Sequence, residues 1–588
     1  MKAINNCYSF IIKSVKEVFT VSKGLFLTIY LVAFIQGILN SFPIILMQVL
    51  FDQIEKISSS QISVYSVLRT IFIMFVVKCI IQVMADLGNF LYEYHHMKVI
   101  HKLTNRLNNH IGLINAISFE DKELLDQIEK AYQGTGQVRK LVDTVLMLLL
   151  NYLPSLIVVG AYLYKAKPVL IIILLLIFLP VLISEISKAK LFTDLEDELA
   201  PLNRKIQTYN DYLIGRKFFK ETRLLGTFQF FLKRLNEAIK IRNEAMWKIT
   251  FITDIRELGT KFLSLGGYIS ILIILYISVL KKEISIGYFA AIFTSLDSLF
   301  FMMEEIVSSL VGGVAQVTGK IKNYFKFREV TPLTKEGISL KYHDSIILEN
   351  VCFSYPNSSN IALHNVNLKV GRGESIAVVG ENGSGKTTLV RLLAGIYSPT
   401  DGKIFYNGVE SNKYNPFELF YNTSAVFQNY GKYDLSLEDN IKISNLDSDK
   451  NVDFILNDLE MEIPKGIYPE GIKTMLSREF GGIDLSGGQW QKIAIARGGY
   501  RDKDLLLLDE PTSAIDPIEE AVLYTKFQKL IRGRMSFIVT HRLGAARISD
   551  KIIVMKKGKI VGIGKHMELL NTCDEYKKMW LAQSEQYT

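Results

Sequence analysis

The residues of this 588-residue chain best suited to do chemistry begin at Gly380-Glu381-Asn382-Gly383-Ser384-Gly385-Lys386-Thr387. An apolar run, Ser375–Val379, precedes them and a helix-like stretch, Leu389–Ala394, follows. That order of strand, glycine loop and helix has the spacing of a P-loop. Glycines tolerate unusual φ, so successive backbone N–H groups can turn inward and cradle phosphate oxygens at a helix N-terminus. Lys386 would then reach the β- and γ-phosphates and the Thr387 hydroxyl a Mg²⁺ ion, with Thr388 beside them in the nucleotide-binding set. The motif alone supports nucleotide binding without proving it. A second element, Leu505–Leu508 followed by Asp509 and Glu510, reads as a buried strand ending in two carboxylates. Asp509 is suited to hold Mg²⁺, directly or through water, and Glu510 to polarise an attacking water as general base.

The elements that must position these groups occupy the second half of the chain. Pro332 and Gly337 mark a boundary, after which short apolar runs alternate with helical segments in an α/β pattern. The first half is different in kind. The chain is 49% apolar and 22% charged, and its mean hydropathy is +0.20. Six apolar segments, about 24–50, 67–90, 143–164, 168–184, 261–280 and 286–311, are long enough to cross a ~30 Å hydrocarbon core. Charged, helix-compatible stretches separate spans two and three and spans four and five, reading as cytosolic extensions of the membrane helices. The expected architecture is an α-helical polytopic membrane domain over 1–332, a linker over 333–345 and an α/β cassette over 346–588. Three short outer loops and two long inner ones make an even number of crossings, so both termini and the cassette are expected on the cytoplasmic side, the membrane being the plasma membrane.

The net charge of +9 comes from Lys and Arg scattered through loops rather than gathered in a stripe, which argues for membrane orientation and against nucleic-acid binding. Cys7, Cys79, Cys352 and Cys573 lie far apart with no C-x₂-C spacing, so neither a disulfide framework nor a zinc site is expected. Lys78, Asp297 and Glu304 interrupt the spans. Ionisable groups there should face a water-filled cavity or one another. Asp297 and Glu304 are seven residues apart and share a helix face. The residues leave open whether the three line a polar substrate path or form ion pairs.

Leu485-Ser486-Gly487-Gly488-Gln489, about 20 residues before Asp509, is the signature of ATP-binding cassette proteins, and the chain resembles that family over essentially its full length. The resemblance implies that Ser486–Gln489 face a nucleotide held by another cassette, so that ATP is sandwiched between two P-loop domains. One chain carries one cassette, and the simplest assembly is a homodimer. It further implies that Tyr355, in Phe353-Ser354-Tyr355-Pro356, stacks on adenine. Gln428 would touch Mg²⁺ and water, Asp516 would lie in the loop crossing the interface, and His541 would contact the γ-phosphate and attacking water.

Six spans followed by a fused cassette resemble the half-transporter exporters. Segments near Phe119–Asp126 and Tyr209–Lys220 then look like their coupling helices. The stretches Tyr355–Ser358, Phe427–Tyr433, Leu485–Arg497 with its Trp490, and Ser584–Tyr587 resemble lantibiotic exporters of the nisin type. The implied cargo is a modified peptide, cationic if Asp297 and Glu304 meet it, with peptide-modifying enzymes or a separate leader peptidase as further partners. Export of lipids or drugs, and an ATP-gated protein that transports nothing, are the other readings. One departure stands out. Glu479-Phe480-Gly481-Gly482 places its glutamate one position earlier than exporters commonly do.

Overall fold

The computed structural model describes residues 2–58, 63–307, 314–512 and 517–584. The chain forms two compact units. One comprises Met1–Ile111 and Asp126–Val330, the other Gly112–Leu125 and Thr331–Thr588.

The first unit is helical. Six of its described segments, Lys23–Lys56, Val64–Ile111, Lys122–Lys165, Pro168–Phe192, Phe228–Leu280 and Ile286–Val307, are long and apolar enough to cross a membrane by length and composition. Most run beyond the stretches expected from sequence, because charged helical turns continue the apolar ones without a break. The last is described only to Val307, so the end of the sixth expected span lies outside the described residues. The first segment is two helices, Lys23–Leu39 and Phe42–Ser58, interrupted at Asn40 and Ser41 just before Pro43. A wide π-type turn at Leu148–Tyr152 breaks the third. There the Asn151 carbonyl comes so close to Gly37 that a Cβ would sit 2.2 Å from it. Lys167, in the expected short loop between spans three and four, pairs with Glu283 of the loop between spans five and six.

Asp143 was expected to open the third span. It lies instead in a buried polar network. Arg139, fully buried, bonds its carboxylate at 2.7 Å, and the Tyr30 hydroxyl donates to its other oxygen at 2.6 Å. Arg139 Nη2 is buried without a hydrogen-bond partner among the described residues.

The second unit carries two sheets. Strands β1 (Ser345–Ser354), β2 (Ile361–Gly371), β4 (Asp401–Tyr406) and β5 (Val409–Glu410) form an antiparallel sheet in the order β2-β1-β4-β5. The other, in the order β10-β9-β3-β8-β7-β6, takes β3 (Ser375–Gly380), β6 (Thr423–Val426), β7 (Leu505–Asp509), β8 (Met535–Val539), β9 (Lys551–Lys556) and β10 (Lys559–Gly564). All its pairings are parallel except β9 with the edge strand β10. Strands β3, β7 and β8 are buried along their whole length, which is why each reads as an unbroken apolar run rather than an alternating one. Trp490 packs in the core of the helical part, with Leu437, Ile455 and Phe527.

The stretch expected as a linker is itself packed. Leu340 joins the core under the antiparallel sheet, His343 is 1% exposed, and Ile338 donates to the Lys413 carbonyl. The apolar side chain of Leu340, 2% exposed, explains the difference, since a free linker would leave it in water.

Candidate nucleotide site and membrane cavities

Parallel strands bring their carboxyl ends to one edge, where ligands of open α/β sheets bind. In this sheet β6, β7, β8 and β3 are consecutive neighbours. The residues just beyond them, Gln428, Asp509 with Glu510, His541, and the loop from Gly380, therefore converge although up to 161 positions separate them in sequence.

The loop takes the backbone its glycines permit. Gly385, at φ 100°, caps the helix Lys386–Leu393, and a Cβ there would lie 2.7 Å from the Leu363 side chain and 2.9 Å from the Ala362 carbonyl. Gly380, at φ 153°, leaves no room for a Cβ beside the Met555 carbonyl, 2.3 Å away. Lys386 is 5% exposed and folds its ammonium onto the carbonyls of Gly380 and Glu381, both at 2.9 Å. Burial holds its pKa below the ordinary lysine value. Those carbonyls keep the cation solvated inside the loop.

Asp509 is 1% exposed. One of its carboxylate oxygens accepts the Thr387 hydroxyl at 3.2 Å and the other is buried without a partner. Burial, ahead of every other cause, raises its pKa above the usual carboxylate value. A buried, half-satisfied carboxylate beside a hydroxyl is the donor set a hard divalent cation takes, with phosphate oxygens and water completing its shell. These residues fit Mg²⁺.

Glu510 sits at φ 49°, in the left-handed region unusual for a residue with a side chain. Its carboxylate accepts from Gln428 Nε2 at 2.7 Å and pairs with His541 Nε2. From behind, buried Gln491 donates to its backbone carbonyl at 3.3 Å. Sequence reasoning passed over Gln491. The spacing signal was available, since 491 is one helical turn beyond Gly487 on a helix that packs against β6. Asn382, Gly383 and Ser384 complete the loop; the Ser384 hydroxyl is buried without a partner.

Tyr355 lies beside this loop. Its hydroxyl bonds Thr388 at 3.0 Å, and its ring packs edge-on against Phe353 and Tyr397. Arg391, on the helix after the loop, reaches Tyr397 at 2.9 Å and Glu120 at 3.1 Å. The segment Gly112–Leu125 is thus tied to the nucleotide loop through two side chains.

Ser486 and Gln489 bond each other in a reciprocal cap that opens the helix Gly487–Arg501. Leu485 is half-buried, while Ser486 and Gly487 are exposed. No described hydrogen bond joins Ser486–Gln489 to Gly380–Thr388. An exposed helix start with two glycines presents backbone N–H groups of the kind that bind anions. Asp516 lies outside the described residues.

In the helical unit the three ionisable residues do not share one cavity. Asp297 and Glu304 line a cavity of about 410 Å³ with Glu185, Glu257, Lys261 and Tyr268. Lys261 pairs with Glu257 at 2.9 Å and Glu304 at 3.6 Å, and Lys188 with Glu257 at 2.7 Å. Four carboxylates against two lysines leave two negative charges in excess. Lys78 lines a different cavity, of about 560 Å³, among Asn40, Gln82, Asn151, Ser155 and Thr294. Helix Ile286–Val307 divides the two, with Thr294 and Ser298 toward one and Asp297 and Glu304 toward the other.

Residues 363–513 match the family model described as ABC transporter. The chain is 29% identical over 597 residues to the subtilin transport ATP-binding protein of Bacillus subtilis, covering 98% of this chain and 94% of that one. It is 28% identical over 544 residues to the nisin transport ATP-binding protein of Lactococcus lactis subsp. lactis, covering 88% of each. It is 27% identical over 512 residues to an ATP-dependent lipid A-core flippase of Wigglesworthia glossinidia brevipalpis, covering 83% of this chain and 84% of that one. The fold matches the structure of a bacterial Atm1-family ABC exporter with ATP bound, with a TM-score of 0.78 at 18% identity, over 94% of this chain and 98% of that one.

Proposed function

The chain is a multi-pass membrane ABC transporter whose ATP hydrolysis is coupled to transport, and from that premise we propose that two copies together export a modified, cationic peptide. The observation that carries the peptide reading is similarity over nearly the whole chain to the subtilin and nisin transport proteins, membrane half included.

In this reading each ATP lies between the loop Gly380–Thr388 of one copy and Ser486–Gln489 of the other. Tyr355 stacks on the adenine, and Lys386 exchanges the carbonyls of Gly380 and Glu381 for phosphate oxygens. Thr387, Asp509 and Gln428 hold Mg²⁺, which when bound neutralises charge on the phosphates. Glu510 orients the attacking water and takes its proton. His541, now paired with Glu510, contacts the γ-phosphate, and Asp516 contributes from the interface loop. Both termini and the cassette are cytoplasmic, with 1–332 as the membrane part and 346–588 as the cassette. The two excess negative charges of the Asp297–Glu304 cavity favour a cationic cargo; Lys78 belongs to a separate polar wall. A separate enzyme modifies the peptide and another removes any leader.

Similarity to a lipid A-core flippase favours a second reading, in which the cargo is a lipid. The two are separated by ATPase stimulation of the purified protein in lipid bilayers. The peptide reading expects a leader-bearing lanthionine peptide to stimulate, and Asp297→Asn with Glu304→Gln to weaken its half-maximal concentration several-fold. Stimulation by lipids alone, with both variants silent, would sink it.

A further inference from the structure

Beyond the residues assigned above, one contact joins the two halves of the nucleotide chemistry within a single chain. The Tyr430 hydroxyl donates to the Gly487 carbonyl at 2.9 Å, in the first turn of the helix whose N-terminus carries Ser486–Gln489. Tyr430 stands two residues after Gln428, which holds the Glu510 carboxylate at 2.7 Å. Further along the same helix, Arg497 donates to the Gly431 carbonyl at 2.6 Å and to the Asn440 carbonyl at 2.7 Å, with its guanidinium over the Tyr433 ring. The segment 430–431 is therefore bound at two points to one helix, while position 428 is bound to the end of β7.

We propose that Tyr430 is a positioning residue that yokes Gln428 to the signature helix, so that a change at one nucleotide site moves the motif serving the other. A single residue, Asn429, lies between the Glu510 contact and the Gly487 contact, and an extended link of that length spans about 7 Å. So short a backbone link limits how far Gln428 and Tyr430 can move independently. Gly487 and Gly488 supply no side chain at the helix start, so the Tyr430 hydroxyl ties down its first turn, while Trp490 and Arg497 hold the turns beyond it. Gln491, on the same helix, meets the Glu510 backbone and gives the yoke a second bearing. Tyr430 packs against the helical core, so its ring stays in place when only the hydroxyl is removed.

This inference rests on the two-copy arrangement proposed above. It is tested with Tyr430→Phe in the full-length protein in lipid bilayers, comparing the ATP dependence of hydrolysis with that of the unaltered chain. Two coupled sites give a Hill coefficient approaching about 2, and uncoupling brings it toward about 1. The expected result is that fall, with binding of a fluorescent ATP analogue retained because the glycine loop and Tyr355 are untouched. An unchanged coefficient in Tyr430→Phe overturns the yoke, as does an unaltered chain with a coefficient of about 1. ATP-dependent cross-linking between cassettes in Glu510→Gln distinguishes the causes. Cross-linking with no loss of cooperativity refutes the yoke alone, whereas no cross-linking refutes the two-copy arrangement beneath it. A purely structural role would lower the melting temperature of Tyr430→Phe and leave the coefficient where it was.

Discussion

Glu120→Ala should release the segment Gly112–Leu125 from the nucleotide loop. In the intact chain Glu120 accepts from Arg391 at 3.1 Å and from the Tyr397 hydroxyl at 2.5 Å. Burial first, and then this hydrogen bond, push the Tyr397 hydroxyl well above its ordinary pKa, so it remains a donor throughout the usable pH range. A hydrogen bond to a charged group contributes about 1.5–3 kcal/mol when shielded. The Glu120 side chain is 42% exposed and that of Arg391 29%, which reduces the ion pair to about 1 kcal/mol. The Tyr397 bond adds about 1 kcal/mol. Their loss, about 2 kcal/mol, shifts local opening roughly 30-fold. Other ties remain, since Asn357 still bonds Asp121 at 3.1 Å and Leu333 still donates to Leu113. Hydrogen exchange should therefore accelerate by about 30-fold at the amides of Ser118 and Asp121, which are bonded within the turn Ala116–Glu120. Cargo stimulation of ATPase should fall toward the basal rate. Exchange unchanged within about threefold, with stimulation intact, would refute the idea that this carboxylate anchors the segment.

Three further perturbations follow from the geometry. Glu510→Gln keeps a side chain that Gln428 can meet but cannot take a proton, so turnover should fall by about 10²–10⁴-fold with ATP still bound; near-normal turnover would remove Glu510 from the chemistry. His343 is buried with neither ring nitrogen bonded, and burial lowers its pKa to about 4. The unfolded state takes up a proton below pH 6.5 that the folded state refuses, so cassette stability should drop as pH falls from 6.5 toward 4. The loss reaches about 3 kcal/mol, and His343→Leu should flatten that slope in pH-dependent melting. Trp490→Ala empties a core site packed among Leu437, Ile455 and Phe527 and should cost about 3–5 kcal/mol by denaturant unfolding. A cost below about 1 kcal/mol would show that the helical part closes over the gap.

What could be read from the chain was what is local. Gly380–Gly385 is one contiguous loop whose glycines permit its backbone, and Asp509 with Glu510 sits at the end of an apolar run that reads as a buried strand. Parallel strand order then does the rest, drawing Gln428 and His541, which only the family resemblance pointed to, to the same edge. Contacts across long separations were invisible. Glu120 meets Arg391 across 271 positions, and neither residue type announces it. Arg139 and Asp143, at i,i+4, have the spacing of an ordinary helix-surface pair. Only the packing of Tyr30 onto them reveals that they are buried. Lys78 was grouped with Asp297 and Glu304 because all three are charged within apolar spans. The rotation of helix Ile286–Val307 puts them in separate cavities, and periodicity within one helix cannot report what another helix turns toward it.

In the proposed function, hydrolysis between two copies drives a peptide across the bilayer. The direct measurement is uptake of a leader-bearing lanthionine peptide into inside-out vesicles holding the full-length chain, compared with Glu510→Gln. ATP-dependent accumulation by the unaltered chain, abolished by Glu510→Gln, is the predicted result. Equal accumulation with Glu510→Gln would contradict the coupling to hydrolysis. No accumulation of any peptide by a protein whose ATPase responds to lipid would contradict the cargo.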